Sequence, residues 1–322
     1  QDLGLIYDCQ RANSTVPNVY AHFGQPLVWP RGFPLSQIGR TYANSYVSGP
    51  RRVSAVQQGV VDGDPDVDAV FRLTKSSRAQ RRIDLRFDRT APPLQLPLGT
   101  LSPFNSQNTL FAHRAFWALY LPSTVSFRLT DIWRAYWAQR LMWLLNDTLS
   151  FYGPSAYQER NAHTYMRDLE QEQAMYVQTE RLVEFLLHEW RCVAHRKFYA
   201  CVLDLSEQMA QRGFWHADEV RYLQSWLNDL HSVGYPEPLI VNFEDSNSTN
   251  SCGSASSFKI GNFEYTRVRF TPQFQRPIDA QDTFYCCDDK TKNKSNSSVA
   301  TAETFDPVQI YNRRDSFVYF AD

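Results

Sequence analysis

A chain of 322 residues, 43% of them hydrophobic, is long enough for one large domain, or one domain with an appendage, around a sizeable core. Its 33 basic and 34 acidic residues leave a net charge of −1, which excludes nucleic-acid binding driven by a basic face. No run of about 18 apolar residues occurs, so no segment reads as a membrane span. Gln1 and Asp2 lead straight into an apolar run, which reads as a piece of a longer precursor with any signal or anchor upstream.

Residues 3–8, LGLIYD, predict a short buried strand ending in Asp8. An acid beyond a strand end suits a cation or a sugar-nucleotide, and equally suits a turn. Residues 19–38 carry three prolines and two glycines, and this stiff loop presents Arg31 between Pro30 and Gly32. Its guanidinium fits phosphate or carboxylate recognition, or a structural salt bridge.

Asp62, Asp64, Asp66 and Asp68 follow within seven residues, a density that suggests a hard-cation loop. An EF-hand is excluded, because counting from Asp64 puts Ala69 where glycine is required and Lys75 where glutamate is required. AVFRL (69–73) reads as a strand carrying Arg72, and IDLRFD (83–88) reads as a half-exposed strand.

Residues 102–145 combine Asn105, Gln107, Asn108, Asp131, Arg134, Gln139 and Arg140 with closely spaced aromatics, including Trp133. A mostly apolar wall with a few fixed polar groups is how ligand pockets are built. Thr130 or Asp131 is an N-cap for a helix with a wide apolar stripe. The same Asp131 could serve as a general base. Residues 151–163 predict a strand running into a loop with Arg160 and His163. Long helices follow, including 196–212 and 217–233, which are closed by Gly213 and Gly234. After Phe243 come Ser/Asn-rich inserts and the alternating runs 258–270 and 308–320, which predict a small β appendage.

Six cysteines show no zinc spacing, and their pairing stays open. Sequons begin at Asn13, Asn146, Asn247, Asn293 and Asn296, of which Asn13, Asn247, Asn293 and Asn296 are taken as glycan acceptors. Together the two features favour a secretory lumen. There is no G-x-S-x-G, H-E-x-x-H, P-loop or G-x-G-x-x-G, so those enzyme classes lack their anchors. Acids at element ends, arginines on stiff loops and an aromatic wall suit a sugar-phosphate ligand.

The segments WPRGFPL (29–35), QQGVVDGDPDVDAVFRLT (57–74), SPFNSQNT (102–109), AFWALYLP (115–122), RLTDIWRAYWAQRLMW (128–143), QERNAH (158–163) and GFW…WLNDL (213–230) resemble the STELLO family of Golgi glycosyltransferases. RGFPL, PDVDA and DIWRAY are more distantly similar to the UDP-arabinopyranose mutases, the reversibly glycosylated polypeptides. The resemblance implies an α/β fold of GT-A type. It would be a mixed sheet with flanking helices, without its first nucleotide-binding units, over residues 1–243, followed by a linker and β-rich appendage over 244–322. It also implies a UDP-sugar donor, a glycan or protein acceptor, Mn²⁺ or Mg²⁺, and a Golgi lumen location through an upstream anchor. Asp8 would contact metal or donor, and Arg31 the diphosphate. Asp66 and Asp68 would line the donor side, with Arg160 and His163 closing over phosphate or metal. Asp131 would be the acceptor-side base, beside a pocket of Asn105, Gln107, Asn108 and Trp133. The family's acid cluster after the first strand is reduced here to Asp8 in IYDCQR. That departure supports an alternative expectation, a catalytically inactive scaffold that assists other glycan-synthesising enzymes.

Overall fold

The computed structural model describes residues 3–40, 45–50, 53–75, 83–161, 164–193, 197–241, 266–270, 272 and 317–320. Five apolar residues form β1 (Leu3–Tyr7), and Asp8 ends it by capping the short α1 (Cys9–Ala12), accepting from the N–H of Arg11 at 3.2 Å. Then come α2 (Val19–His22), β2 (Ser45–Pro50), β3 (Val56–Gly63) and α3 (Ala69–Lys75). Beyond a loop lie β4 (Leu94–Gln95), β5 (Thr109–Ala112), α4 (Thr130–Met142) and β6 (Leu149–Gln158). Three helices follow, α5 (Tyr165–Glu184), α6 (Phe198–Gln211) and α7 (Asp218–Ser232).

Six strands from the first half of the chain make a mixed sheet in the order β2-β1-β4-β6-β3-β5, flanked by helices, and the expected α/β class is what is found. The pairs β1/β4 and β3/β6 are parallel and the rest are antiparallel. Among the described residues, the C-terminal alternating runs contribute β7 (Thr266–Arg269) and β8 (Phe317–Phe320). These two do not pair with each other. Instead β7 extends the sheet beyond β2, and β8 extends it beyond β5.

Helix α4 is the centre of the core. Every residue from Asp131 to Met142 is buried, so the predicted stripe is in fact a helix enclosed on all sides. Several of its polar groups are held by neighbouring backbone. Arg140 donates to the carbonyls of Leu186 and Trp190 and lies over the Trp190 ring, while Gln139 ties to the backbone of Ser102. The helices α6 and α7 end as predicted, with Gly213 and Gly234 at φ +76° and +81°.

Three local predictions are corrected. AVFRL is helical because Asp68 caps it, its Oδ1 accepting from the N–H of Phe71 at 2.7 Å, and Glu172 of α5 takes the N–H of Ala69 at 2.8 Å. Five strand-like residues are too few to outweigh those two contacts. IDLRFD forms no regular strand, and only Leu85 bridges to Gly63. Neither Thr130 nor Asp131 caps α4, because a 3₁₀ turn at Phe127–Leu129 runs directly into the helix.

Candidate functional site

Parallel strands β3 and β6 finish together at Gly63 and Gln158. Ligand sites in α/β folds lie beyond such ends. Gly63 makes the exit possible. Its φ is +87°, and an added Cβ would stand 2.4 Å from the carbonyl oxygen of Gln158, so only glycine fits there. The chain then turns through Asp64, Asp66 and Asp68, with the N–H of Asp64 on the oxygen of Gln158 at 2.9 Å.

Arg31 reaches this turn from the proline loop, whose own backbone N–H donates to the carbonyl of Asp66 at 3.0 Å. Its Nε donates to both oxygens of Asp66 at 2.9 Å, and its Nη2 to both oxygens of Asp131 at 3.0 and 2.9 Å. Nη1 donates to the carbonyl of Arg128. Asp131 Oδ2 also accepts from the N–H of Ser106 at 3.1 Å. One buried guanidinium therefore ties together the proline loop, the acidic turn and the start of α4.

Around this clamp stand three further arginines. Arg72 Nη1 is 2.7 Å from Asp64, while Arg160 lies at 3.8 Å from Asp64 and 3.6 Å from Asp66. Arg128 Nε meets Glu172 at 2.6 Å. Burial pushes the Asp66 carboxyl up, but the charge and hydrogen bonds of Arg31, helped by Arg160 and Arg128, prevail and hold it at about 2. Asp68 has no guanidinium. It accepts from Trp29 Nε1 at 2.6 Å, and burial first, then Glu172 and Asp66, push it up to about 6.

The structure thus gathers Arg31, Asp66, Asp68, Arg160 and Asp131 from four distant segments. It does not bring Asp8 among them. Leu5 and Ile6 are level with Phe151 and Ser150 through β4, so β1 ends beside the start of β3 and β6. Asp8 and Asp64 are therefore at opposite ends of the sheet, on the order of 30 Å apart along the strands. His163 lies outside the described residues.

The expected acceptor pocket also differs. Trp133 is fully buried with its indole N–H on the carbonyl of Phe214 at 2.8 Å, so it locks α4 to the turn between α6 and α7. Asn105 accepts from Gln58 and from the N–H of Gln107, and Asn108 sits at φ +51° beside Ser155, so both shape a turn. Gln107 is different. Its buried Nε2 has no hydrogen-bond partner among the described residues.

Asn13 is exposed in the left-handed conformation at the end of α1, whereas Asn247, Asn293 and Asn296 lie outside the described residues. Cys192 and Cys201 form a disulfide.

Three members of the cluster were not anticipated as site residues. Arg72 falls in the strand expected over 69–73, and Arg128 and Glu172 carry no expected site role. Glu172 carried a signal: Asp168 and Glu172, spaced i, i+4, fall in phase with buried Met175, Thr179 and Leu182, so α5 opens its buried face with acids.

The divalent cation implied by resemblance does not fit the described carboxylates. Asp62 is held by Arg89 and the N–H of Phe87, Asp64 by Arg72, Asp66 by Arg31, and Asp68 by Trp29 and the N–H of Phe71. Among the described residues, no three His, Cys, Asp or Glu side chains form a metal-ligand group.

The family model for STELLO glycosyltransferases matches residues 128–269, the stretch that supplies Arg128, Asp131, Arg160 and Glu172. Two Arabidopsis thaliana proteins, named probable glycosyltransferase STELLO1 and STELLO2, are each 40% identical over 243 residues. The chain belongs to the STELLO family. Each aligned stretch covers 74% of this chain and 31% of the relative, so this STELLO chain spans about a third of the length of the curated relatives it matches. No helix among its described residues is long and apolar enough to cross a membrane.

Proposed function

We propose that this chain is the part of a STELLO glycosyltransferase that binds a nucleotide-sugar donor beyond β3 and β6 and presents Asp131 to the acceptor. One observation carries the proposal. The segments that hold the family resemblance, around residues 31, 66, 131 and 160, converge on one charged cluster at the ends of two parallel strands. Arg160, at the rim with its side chain 12% exposed, faces the donor phosphates. Asp131 accepts the proton of the attacking acceptor hydroxyl, for which its carboxylate exchanges a contact with Arg31. In the full-length protein, Asp131→Asn keeps the shape and removes the base. Transfer from a UDP-sugar should fall by about a hundredfold or more with folding intact. Undiminished transfer would remove Asp131 from the mechanism.

The reading places the chain in the lumen of the secretory pathway. The buried Cys192–Cys201 disulfide and the exposed sequon at Asn13 support an oxidising compartment. Recovery of the Cys192–Cys201 cross-linked peptide from cells, under alkylation without reduction, tests it.

A second reading, a catalytically inactive scaffold for other glycan-synthesising enzymes, is favoured by a different observation. The guanidinium of Arg31 is already committed to Asp66, Asp131 and a backbone carbonyl. Calorimetric titration with UDP-sugars separates the two, since a scaffold of this kind gives no heat of binding.

A further inference from the structure

We infer that this cluster holds the phosphate groups of its ligand with guanidinium groups standing where a divalent cation was expected. The inference rests on the donor reading above and names how the donor's anion is held.

The first argument is the use of the acids. A dication needs several carboxylate oxygens turned toward one point. Here both oxygens of Asp66 face Arg31 Nε, both of Asp131 face Arg31 Nη2, and both of Asp68 face nitrogen donors. Asp64 stands 2.7 Å from Arg72. A cation placed among them would also meet four guanidinium charges, those of Arg31, Arg72, Arg128 and Arg160, contributed by the proline loop, α3, the turn before α4 and the end of β6.

The second argument is the use of the arginines. Arg31 holds two carboxylates, and Arg72 and Arg128 each hold one at 2.7 and 2.6 Å, but donors are left over. The Nη2 of Arg128 is buried with no hydrogen-bond partner among the described residues, on a side chain only 9% exposed. The Nε of Arg160 is likewise buried without one, and its two ion pairs are long, at 3.6 and 3.8 Å. Buried N–H donors without acceptors are costly and require an explanation. Phosphate oxygens supply the missing acceptors, and the planar guanidinium fork matches them two at a time. Arg160 is the most exposed of the four, at 12% against 9% for Arg128, so it is the first to meet the anion.

The test is UDP binding to the full-length protein by calorimetry, in EDTA and again with excess Mn²⁺. UDP should bind in EDTA, and Mn²⁺ should change its Kd by less than about twofold. Arg160→Gln should weaken UDP by about tenfold or more, as loss of a charge-assisted contact does. Arg160 is chosen because it sits at the rim, and circular dichroism confirms that the variant is folded. Arg128→Gln, deeper in the cluster, should weaken UDP similarly. UDP binding that appears only with Mn²⁺ would overturn this inference and leave the donor reading intact. Failure to bind UDP in either condition would overturn the donor reading, and this inference with it. UDP binding to Arg160→Gln at the wild-type Kd would overturn the arginine-built site.

Discussion

Glu219 shows how much of this chain's order depends on single buried side chains. It lies fully buried in the first turn of α7, where one oxygen accepts from Tyr120 and the N–H of Ser123, and the other from the N–H and the hydroxyl of Thr124. Burial, and then the hydrogen bond and charge of Glu219, raise the Tyr120 hydroxyl well above the ordinary tyrosine range. Glu219→Ala orphans two backbone N–H groups and two hydroxyls at once, and should cost about 3 kcal/mol in urea unfolding. Glu219→Gln keeps one acceptor oxygen and should cost less. A Glu219→Gln variant as stable as the wild type, beside a costly Glu219→Ala, would mean that the side chain acts by filling space. Arg31 follows the same logic with higher stakes, because lysine cannot face two carboxylates and a carbonyl from one planar fork. Arg31→Lys should therefore destabilise by about 3 kcal/mol, read from the shift in the urea midpoint.

Between elements, the contact that aligns the site is the seat of the proline loop on α4. Gly32 has φ +86°, and a Cβ there would stand 2.4 Å from Cγ2 of Ile132, while its carbonyl accepts from the hydroxyl of Tyr136 at 2.8 Å. Gly32→Ala combines a strained backbone with a clash against a fully buried helix. A loss of about 2–4 kcal/mol in thermal or urea unfolding is expected. The Cys192–Cys201 disulfide joins the end of the α5 region to α6 across a sequence separation of 9. Closing so short a loop is worth about 2–3 kcal/mol in the chain-entropy view, so Cys201→Ser should lower stability by about that much. At this scale the sequence was most legible where a signal is strong and local. The glycines at 213 and 234 ended their helices, the apolar run 3–7 made a strand, and the α4 pattern made a buried helix. It misled where a short pattern competed with a distant contact, as in AVFRL, whose helical state depends on Glu172 a hundred residues away. The site was half legible. Arg31, Asp66, Asp131 and Arg160 could be named, but that Arg31 would occupy both carboxylates depends on packing that no spacing reveals.

Across the described residues, three buried groups push acid stability in opposite senses. His22, held between the hydroxyl of Tyr46 and the carbonyl of Pro92, is lowered from 6.5 to about 4, mainly by burial, with Asp88 and the Pro92 contact opposing. As pH falls from 6.5 to 4 the unfolded chain takes up a proton that the fold refuses, so His22 destabilises on acidification. Asp68 is raised from 3.8 to about 6. Between those values the folded chain holds a proton that the unfolded chain has released, so Asp68 stabilises on acidification. Each displacement is worth roughly 3 kcal/mol, so the two nearly cancel between pH 6.5 and 4. Asp66, at about 2 against 3.8, contributes stability that is present above about pH 4 and lost as pH falls toward 2, and this places the steep acid limb below pH 4. The balance can be unmasked. His22→Gln removes one side of it, so stability measured by urea midpoint should rise by about 2 kcal/mol from pH 6.5 to 4.5, where the wild-type chain stays nearly level. Asp68→Asn removes the other side and should make stability fall over the same interval. Parallel pH profiles for the wild type and both variants would show that the acid response of this fold is set elsewhere.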